Sequence, residues 1–229
     1  MTEGLRVLLV GHGRMGRLVE SLAPEYGVRI AGVVSSRNAG QPETWPEADV
    51  AIDFSNASAV VDNARALGAK GVSLVIGTTG WQAHEPALRD AVAALPIGVI
   101  AAPNFAIGVT LFLGLAERAA MMLSSRGFSP WIHDAHHAAK KDAPSGTAVA
   151  LQRVVEAAGA AADVSSTRAG HIPGTHTVGF DSPSEAITLT HEARDRTPFA
   201  RGALEAARWI HGRRGWYTMR DLLSVEGSR

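Results

Sequence analysis

The stretch HDAHHAAKKDAPSGTA, residues 133 to 148, gathers three histidines, two lysines and an S-G-T turn. Imidazoles ordinarily titrate near about pH 6.5, so His136 and His137 can give and take protons at neutral pH. Ser145, Gly146 and Thr147 precede AVALQRVVEAA, whose Ala148, Leu151, Val155 and Ala158 follow a helical stripe. They therefore open a helix, where unpaired backbone N–H groups and two hydroxyls make a pocket for an anion. Lys140, a few residues upstream, adds a full positive charge. Such a pocket wants a carboxylate or phosphate, and the imidazoles beside it supply an acid.

A metal fits the same stretch poorly. His133 and His137 stand four apart, but no glutamate lies between them in the H-E-x-x-H manner, and the chain has no cysteine. FSPWIHDAHH reads as a strand, which places His133 and His137 on one face and His136 on the other. No metal is assigned. His133 and Lys141 read as exposed polar residues.

A second set of residues lies at the other end of the chain. After the apolar run LRVLLVG comes G-H-G-R-M-G, with Gly11, Gly13 and Gly16 in the spacing of a dinucleotide cradle. The first glycine permits the strand-to-helix turn, the second lets backbone approach a pyrophosphate, and the third lets helix lie close to strand. An acid about 20 residues further on commonly holds the ribose of NAD. Here stand Ser35, Ser36 and Arg37, and Arg37 can meet a 2′-phosphate, so the residues favour NADPH, with NADH a possible second cofactor. Two further turns, Gly77-Thr78-Thr79-Gly80 and Ala102-Pro103-Asn104-Phe105, follow later strands where such folds bind ligands. A nucleotide cradle, an anion pocket and an acid together describe reduction of a small anionic substrate.

The elements that must position these groups can be read from periodicity. Strand-length apolar runs (LRVLLVG, VRIAGVVSS, ADVAIDFS, VSLVIGT, IGVIAAPNF) alternate with helical segments over about Arg14 to Leu22, Ser58 to Leu67 and Gln82 to Leu95. That alternation predicts a parallel sheet covered on both faces. From Ile107 the rhythm changes: a long helix, then FSPWIHDAHH, a helix after Pro144, and two alternating segments, THTVGF and EAITLTHEA. The fold class is α/β: a Rossmann-type parallel-sheet domain (residues 1–104 with 196–229) plus an α+β substrate and oligomerisation domain (105–195) with an open, mixed and more antiparallel sheet. AAGAAADVSS, 157 to 166, reads as the nearest thing to a flexible connection, and Thr197-Pro198 opens a tail helix reaching about His211.

Bulk composition narrows the partners. Lys plus Arg equals Asp plus Glu at 22 each, leaving no field to hold nucleic acid or anionic lipid. No uncharged apolar stretch reaches the roughly 18 residues of a membrane span, and MTEGLRVLLVG lacks the basic start of a signal peptide. With no cysteine, disulfides and thiolate catalysis are excluded; a cytoplasmic protein is expected.

G-H-G-R-M-G, I-D-F-S, I-G-T-T-G, A-P-N-F-A-I-G-V and above all D-A-H-H-A-A-K-K-D-A-P-S-G-T-A resemble the 4-hydroxy-tetrahydrodipicolinate (dihydrodipicolinate) reductase family of lysine and diaminopimelate biosynthesis, from the first strand to the tail segment W-Y-T-M-R-D-L-L. The resemblance implies His136 as general acid and Lys140 as partner of a substrate carboxylate or of the catalytic step. It implies His137 as a substrate contact, and Ser145, Gly146 and Thr147 as the hold on a second carboxylate. On the cofactor side it implies Gly11, Arg14, Met15, Gly16, Arg37, Phe54, Gly77, Thr79, Ala102 and Asn104, which Gly13, Thr78 and Phe105 join by position. It further implies a homo-oligomer; with hydride and acceptor carried by different domains, closure between them is expected to complete the site and exclude water. The glycine-rich strand usual in the family is missing around Arg168 to Thr177, which leaves a tetramer or a dimer open. Rival readings are an NADP-binding redox sensor, which would need no acid, and related dehydrogenases of small substrates. Among the latter, the semialdehyde enzymes use a cysteine absent here, and the homoserine enzymes lack an A-H-H-x-x-K loop.

Overall fold

A computed structural model describes residues 4–223. The acid-bearing N-terminal residues 1–3 and the end of the tail, 224–229, lie outside the described residues. The chain divides into two units, the first formed by Met1–Ile107 with Thr197–Arg229 and the second by Gly108–Arg196.

The first unit begins β1 (Leu5–Val10), α1 (Arg14–Leu22), β2 (Val28–Val34), β3 (Val50–Asp53), α2 (Val60–Ala69), β4 (Ser73–Ile76), α3 (Glu85–Val92) and β5 (Gly98–Ala101). The second carries α4 (Ile107–Leu123), β6 (Ser129–His136), α5 (Gly146–Ala157), β7 (Asp163–Arg168), β8 (Thr175–Asp181) and β9 (Ala186–Glu192). The chain then returns to the first unit as α6 (Thr197–Ile210), β10 (Gly215–Tyr217) and α7 (Met219–Leu223).

The first sheet has six strands in the order β10-β5-β4-β3-β1-β2, every pair parallel. Its central strands are unbroken apolar runs because both faces are covered. Val7, Leu9, Ile52 and Val75 pack with α6, while Leu8, Val10, Leu74 and Ile76 pack with α2 and α3. The chain leaves β1 toward β2 and crosses back to β3 on the other side, so the strand order reverses between β1 and β3. Their carboxyl ends therefore flank the crevice where folds of this kind take ligands.

Two boundaries differ from periodicity. Asn56 accepts from Ser58 Oγ and the Ala59 N–H, forming a turn that delays α2 to Val60. Residues Gln82–His84 form a 3₁₀ turn before α3. The three-residue β10, too short to carry a period, adds the sixth strand beside β5.

The second sheet has four strands, β7-β6-β8-β9; β6 and β7 are parallel and the other pairs antiparallel. Half of the stretch read as a flexible connection is thus wrong: α5 runs to Ala157, and Asp163–Arg168 is an edge strand. DVSSTR hid its strand character because one face is solvated and serine fills positions where a core strand would be apolar.

Register stacks the inner face of this sheet in rows. Val164, Ile132, Val178 and Leu189 lie side by side across β7, β6, β8 and β9 and meet α4 and α5 through Phe112, Leu151 and Val155. The next row is Ser166, Asp134, His176 and His191. Ile107–Arg126, α4 with the turn that follows it, is apolar and long enough to cross a membrane, but Phe112, Ala116 and Ala120 pack into this core, with Glu117 and Arg118 midway along the helix. Phe180, wholly buried in the same cluster, anchors the sheet from the opposite end. Phe180→Ala is expected to cost about 3–5 kcal/mol in urea denaturation followed by circular dichroism; a loss under about 1 kcal/mol would contradict this packing.

Candidate active site

At the carboxyl edge of the first sheet, Gly11 leaves β1 with φ +92° while its N–H donates to Val34 O at 2.8 Å. A Cβ there would lie 2.5 Å from Phe54 O, so no other residue fits. Gly13 is the N-cap of α1 and has no side-chain cap, which leaves the first helical N–H groups without partners from a capping residue. A Cβ on Gly13 would meet nothing within 4 Å, so the turn is open on that side. This is the shape and polarity that a pyrophosphate requires.

The other residues read for the cofactor end the adjoining strands. Phe54 follows β3 and meets Phe105 edge to face at 6.4 Å; Gly77 follows β4 with Phe54's ring against it; Ala102 and Asn104 follow β5. Arg14 and Arg37 are exposed, and Met15 packs against the core beneath the cradle. Thr79 is exposed, but Thr78 is turned inward and donates to Asp53 Oδ1 at 2.8 Å. Phe105 is buried in the core. Asp53, which periodicity alone marked only as a strand end, also accepts from the N–H and hydroxyl of Ser55 and from Asn63. It ties the turns after β3 and β4 together.

In the second unit the polar row ends the core and begins the chemistry. Asp134 is fully buried; its carboxylate accepts from the Ser166 hydroxyl, from the Ser145 N–H at 3.2 Å and from Arg168 Nη2 at 3.0 Å. Two residues along β6 on the same face, His136 brings Nδ1 to 3.1 Å from Asp134 Oδ2, without the alignment of a good hydrogen bond. The His136 and His176 rings meet edge to face at 5.0 Å. Arg168 also donates to the carbonyl of Asp142 at 2.6 Å, which pins the loop that carries Lys140.

Ser145 stands at the helix start read for it, as the N-cap of α5. Its hydroxyl caps α5 by accepting from the Ala148 N–H at 3.2 Å and lies 3.1 Å from His176 Nε2, while its own N–H goes to Asp134. Its side chain is buried and engaged at the helix start, and the N–H groups of Gly146 and Thr147 follow in the first turn. Lys140 Nζ is held by both oxygens of Asp142, at 2.7 and 2.8 Å. His137 accepts the Lys140 N–H through its carbonyl at 3.0 Å and is half-buried. His133 faces the other side of the sheet with Ser165 and Thr167. Lys141 is exposed, and nothing in the structure explains it.

Sequence reasoning missed Asp134, Arg168 and His176. Alternation along β6 could have found Asp134, because a residue two before His136 on a strand shares its face. His176 interrupts the inward series completed by Val178 and Phe180. Arg168 carried no signal until β7 was paired with β6.

Burial and neighbours set the protonation states. Burial, then the charge of Lys140, push His136 below its ordinary value, while Asp134 pulls it up. Burial presses Asp134 toward the neutral form, but hydrogen bonds from Ser166, Ser145 and Arg168 outweigh it and keep the group acidic. His176 falls to about 4, chiefly by burial and then by the His136 charge. Asp134, His136 and His176 offer ligand atoms within 4.8 Å of one another, the spacing of a metal site. The carboxylate is nonetheless filled with donors, and the Arg168 guanidinium beside it would repel a dication, so we read a hydrogen-bonded cluster.

Comparison with known proteins covers both units. Residues 5–105 match the family model "Dihydrodipicolinate reductase, N-terminus", and residues 108–223 match "Dihydrodipicolinate reductase, C-terminus". The 4-hydroxy-tetrahydrodipicolinate reductase of Acidiphilium cryptum (strain JF-5) is 39% identical, over 96% of this chain and 98% of that protein. That of Stenotrophomonas maltophilia (strain K279a) is 40% identical, over 96% and 98%. Among solved structures, dipicolinate-bound dihydrodipicolinate reductase from Paenisporosarcina sp. TG-14 superposes with a TM-score of 0.79 at 20% identity, covering 94% of this chain and 97% of that one, which shows a shared fold.

A neutral buried His176 makes stability depend on pH. As pH falls below about 6.5 the unfolded chain takes up a proton that the native chain resists until about pH 4, so stability is full above 6.5 and is lost toward 4. Urea denaturation between pH 7 and pH 4 should show that loss, at most about 3 kcal/mol from this group. His176→Gln should flatten it; an unchanged slope in the variant would contradict the assignment.

Proposed function

The chain belongs to the dihydrodipicolinate reductase family, and from that premise we infer that it reduces 4-hydroxy-tetrahydrodipicolinate to tetrahydrodipicolinate with a nicotinamide nucleotide, a step of lysine and diaminopimelate biosynthesis. The observation that carries the reading is the pairing of a glycine cradle in one unit with a buried imidazole beside a helix start and an ammonium in the other.

Gly11, Gly13, Arg14 and Gly16 would hold the pyrophosphate, with Met15, Phe54, Gly77, Thr79, Ala102 and Asn104 around the rest of the nucleotide. A reduced nicotinamide bound there supplies the hydride. We take NADPH as the preferred form, with NADH accepted, because Ser36 stands where an acid would pair with the ribose and Arg37 is exposed beside it.

In the second unit, Gly146 and Thr147 offer two N–H groups at the positive end of α5 to one substrate carboxylate. Lys140 meets the other by exchanging Asp142 for it, and His137 adds a contact. His136 gives up a proton to the reduced ring. Because burial and Lys140 hold His136 low, it is mostly neutral in the empty site; an arriving dianion would offset Lys140 and raise its proton affinity. A homo-oligomer belongs to the same reading. Its support is the large apolar side chains left exposed in the second unit, Leu115 and Met122 on α4 and Trp131 and Ile187 on the sheet.

The test is oxidation of NADPH and NADH, side by side, on substrate made freshly by the preceding synthase, with pyridine-2,6-dicarboxylate as competitor. Turnover with both, faster with NADPH and inhibited competitively by the mimic, is expected. His136→Ala should lower kcat by about 10²–10⁴-fold and leave NADPH affinity in place. Weakened NADPH binding with kcat retained would overturn the division of roles.

A further inference from the structure

We propose that Asp134 is a positioning residue: it holds His136 in the tautomer with its proton on Nδ1, so that Nε2, beside the gap kept by Gly174, is the nitrogen that exchanges protons with the substrate. This rests on the reductase reading for its consequence but not for its geometry.

The first observation is the 3.1 Å approach of His136 Nδ1 to Asp134 Oδ2. A carboxylate oxygen and a bare ring nitrogen are both acceptors and repel at that distance, so the contact favours the tautomer that carries its proton on Nδ1. Nδ1 is buried and, among the described residues, makes no aligned hydrogen bond, so the Asp134 carboxylate at 3.1 Å is the group placed to receive its hydrogen. The contact is imperfect in direction, so charge attraction contributes more than a linear hydrogen bond.

The second observation is that Asp134 cannot turn away. Its oxygens are taken by Ser166 of β7, by the Ser145 N–H that begins α5 and by Arg168. Two segments besides its own strand, β7 and the start of α5, therefore fix one rotamer, and His136 inherits that precision. The third lies on the far side of the ring. Gly174 has φ +147°, and a Cβ there would stand 3.2 Å from His136 Nε2. With no side chain at Gly174, the space beside the nitrogen that Asp134 turns outward stays clear of a Cβ.

Four charged or titratable groups surround the ring: Asp134 and Lys140 from its own strand and the following loop, Arg168 from β7 and His176 from β8. Only Asp134 favours the protonated form, so it also opposes the other three.

The experiment is histidine ¹⁵N NMR on the full chain, combined with kinetics of Asp134→Asn. In the wild type above its titration, His136 should show Nδ1–H and a bare Nε2. In D134N, with circular dichroism unchanged, the amide can donate to Nδ1. His136 should then move to the Nε2–H form and titrate at lower pH, with the limb of the kcat profile moving alongside. Turnover should fall about a hundredfold or more with KM and NADPH affinity within about twofold. A wild-type His136 protonated on Nε2 overturns the proposal whether or not D134N folds. So does a D134N enzyme with wild-type tautomer and pH profile. Failure of the wild type to turn over would instead count against the reductase reading, since the NMR result does not depend on substrate.

Discussion

A carboxylate with no exposed surface organises the second unit. Asp134 sits on β6 and draws donors from two positions on β7 and from the first turn of α5. A buried charge of this kind is tolerable only when its lone pairs are filled, and removing one partner typically costs about 3–5 kcal/mol. The three contacts are therefore mutually enforcing. They bring the start of a helix, a protonatable ring and a cation-bearing loop to one corner of a sheet, at the point where its apolar rows stop.

The first unit uses the same device. Asp53, also buried, gathers the turns after β3 and β4 through Ser55, Asn63 and Thr78, as Asp134 gathers β6, β7 and α5. In each case the acid is the last buried residue or nearly the last of a core strand, and the residues proposed to face a ligand lie just beyond it. The segments that carry the cradle glycines and the glycine–threonine start of α5 are thus fastened one layer below. Lys140, paired with Asp142, is the exposed counterpart: its partner is a carboxylate that another carboxylate can replace.

Much of this was legible in the sequence, for physical reasons. Doubly buried strands are apolar without interruption, so the first sheet announced itself; a glycine motif between strand and helix has few alternatives; and the histidine–lysine loop stood out by composition. What escaped depends on pairing. β7 is polar on its solvated face and short of apolar residues, so DVSSTR looked like a linker, and without it neither Ser166 nor Arg168 could be placed. His176 lies about forty residues from His136 along the chain and meets it only through the β6–β8 register. Ser145 was read for an anion from its place at a helix start and by resemblance, and Thr78 for the nucleotide by its position in a turn after a strand. Each instead satisfies a buried acceptor or a helix cap, a role visible only once the acid beneath is known.

The most direct measurement is a crystal structure with the planar pyridine-2,6-dicarboxylate. One carboxylate on the N–H groups of Gly146 and Thr147, the other on a Lys140 that has left Asp142, and an undisturbed Asp134 beneath would be the result this account predicts. The diacid lodged away from the ends of β6 and α5, with Lys140 still on Asp142, would contradict it.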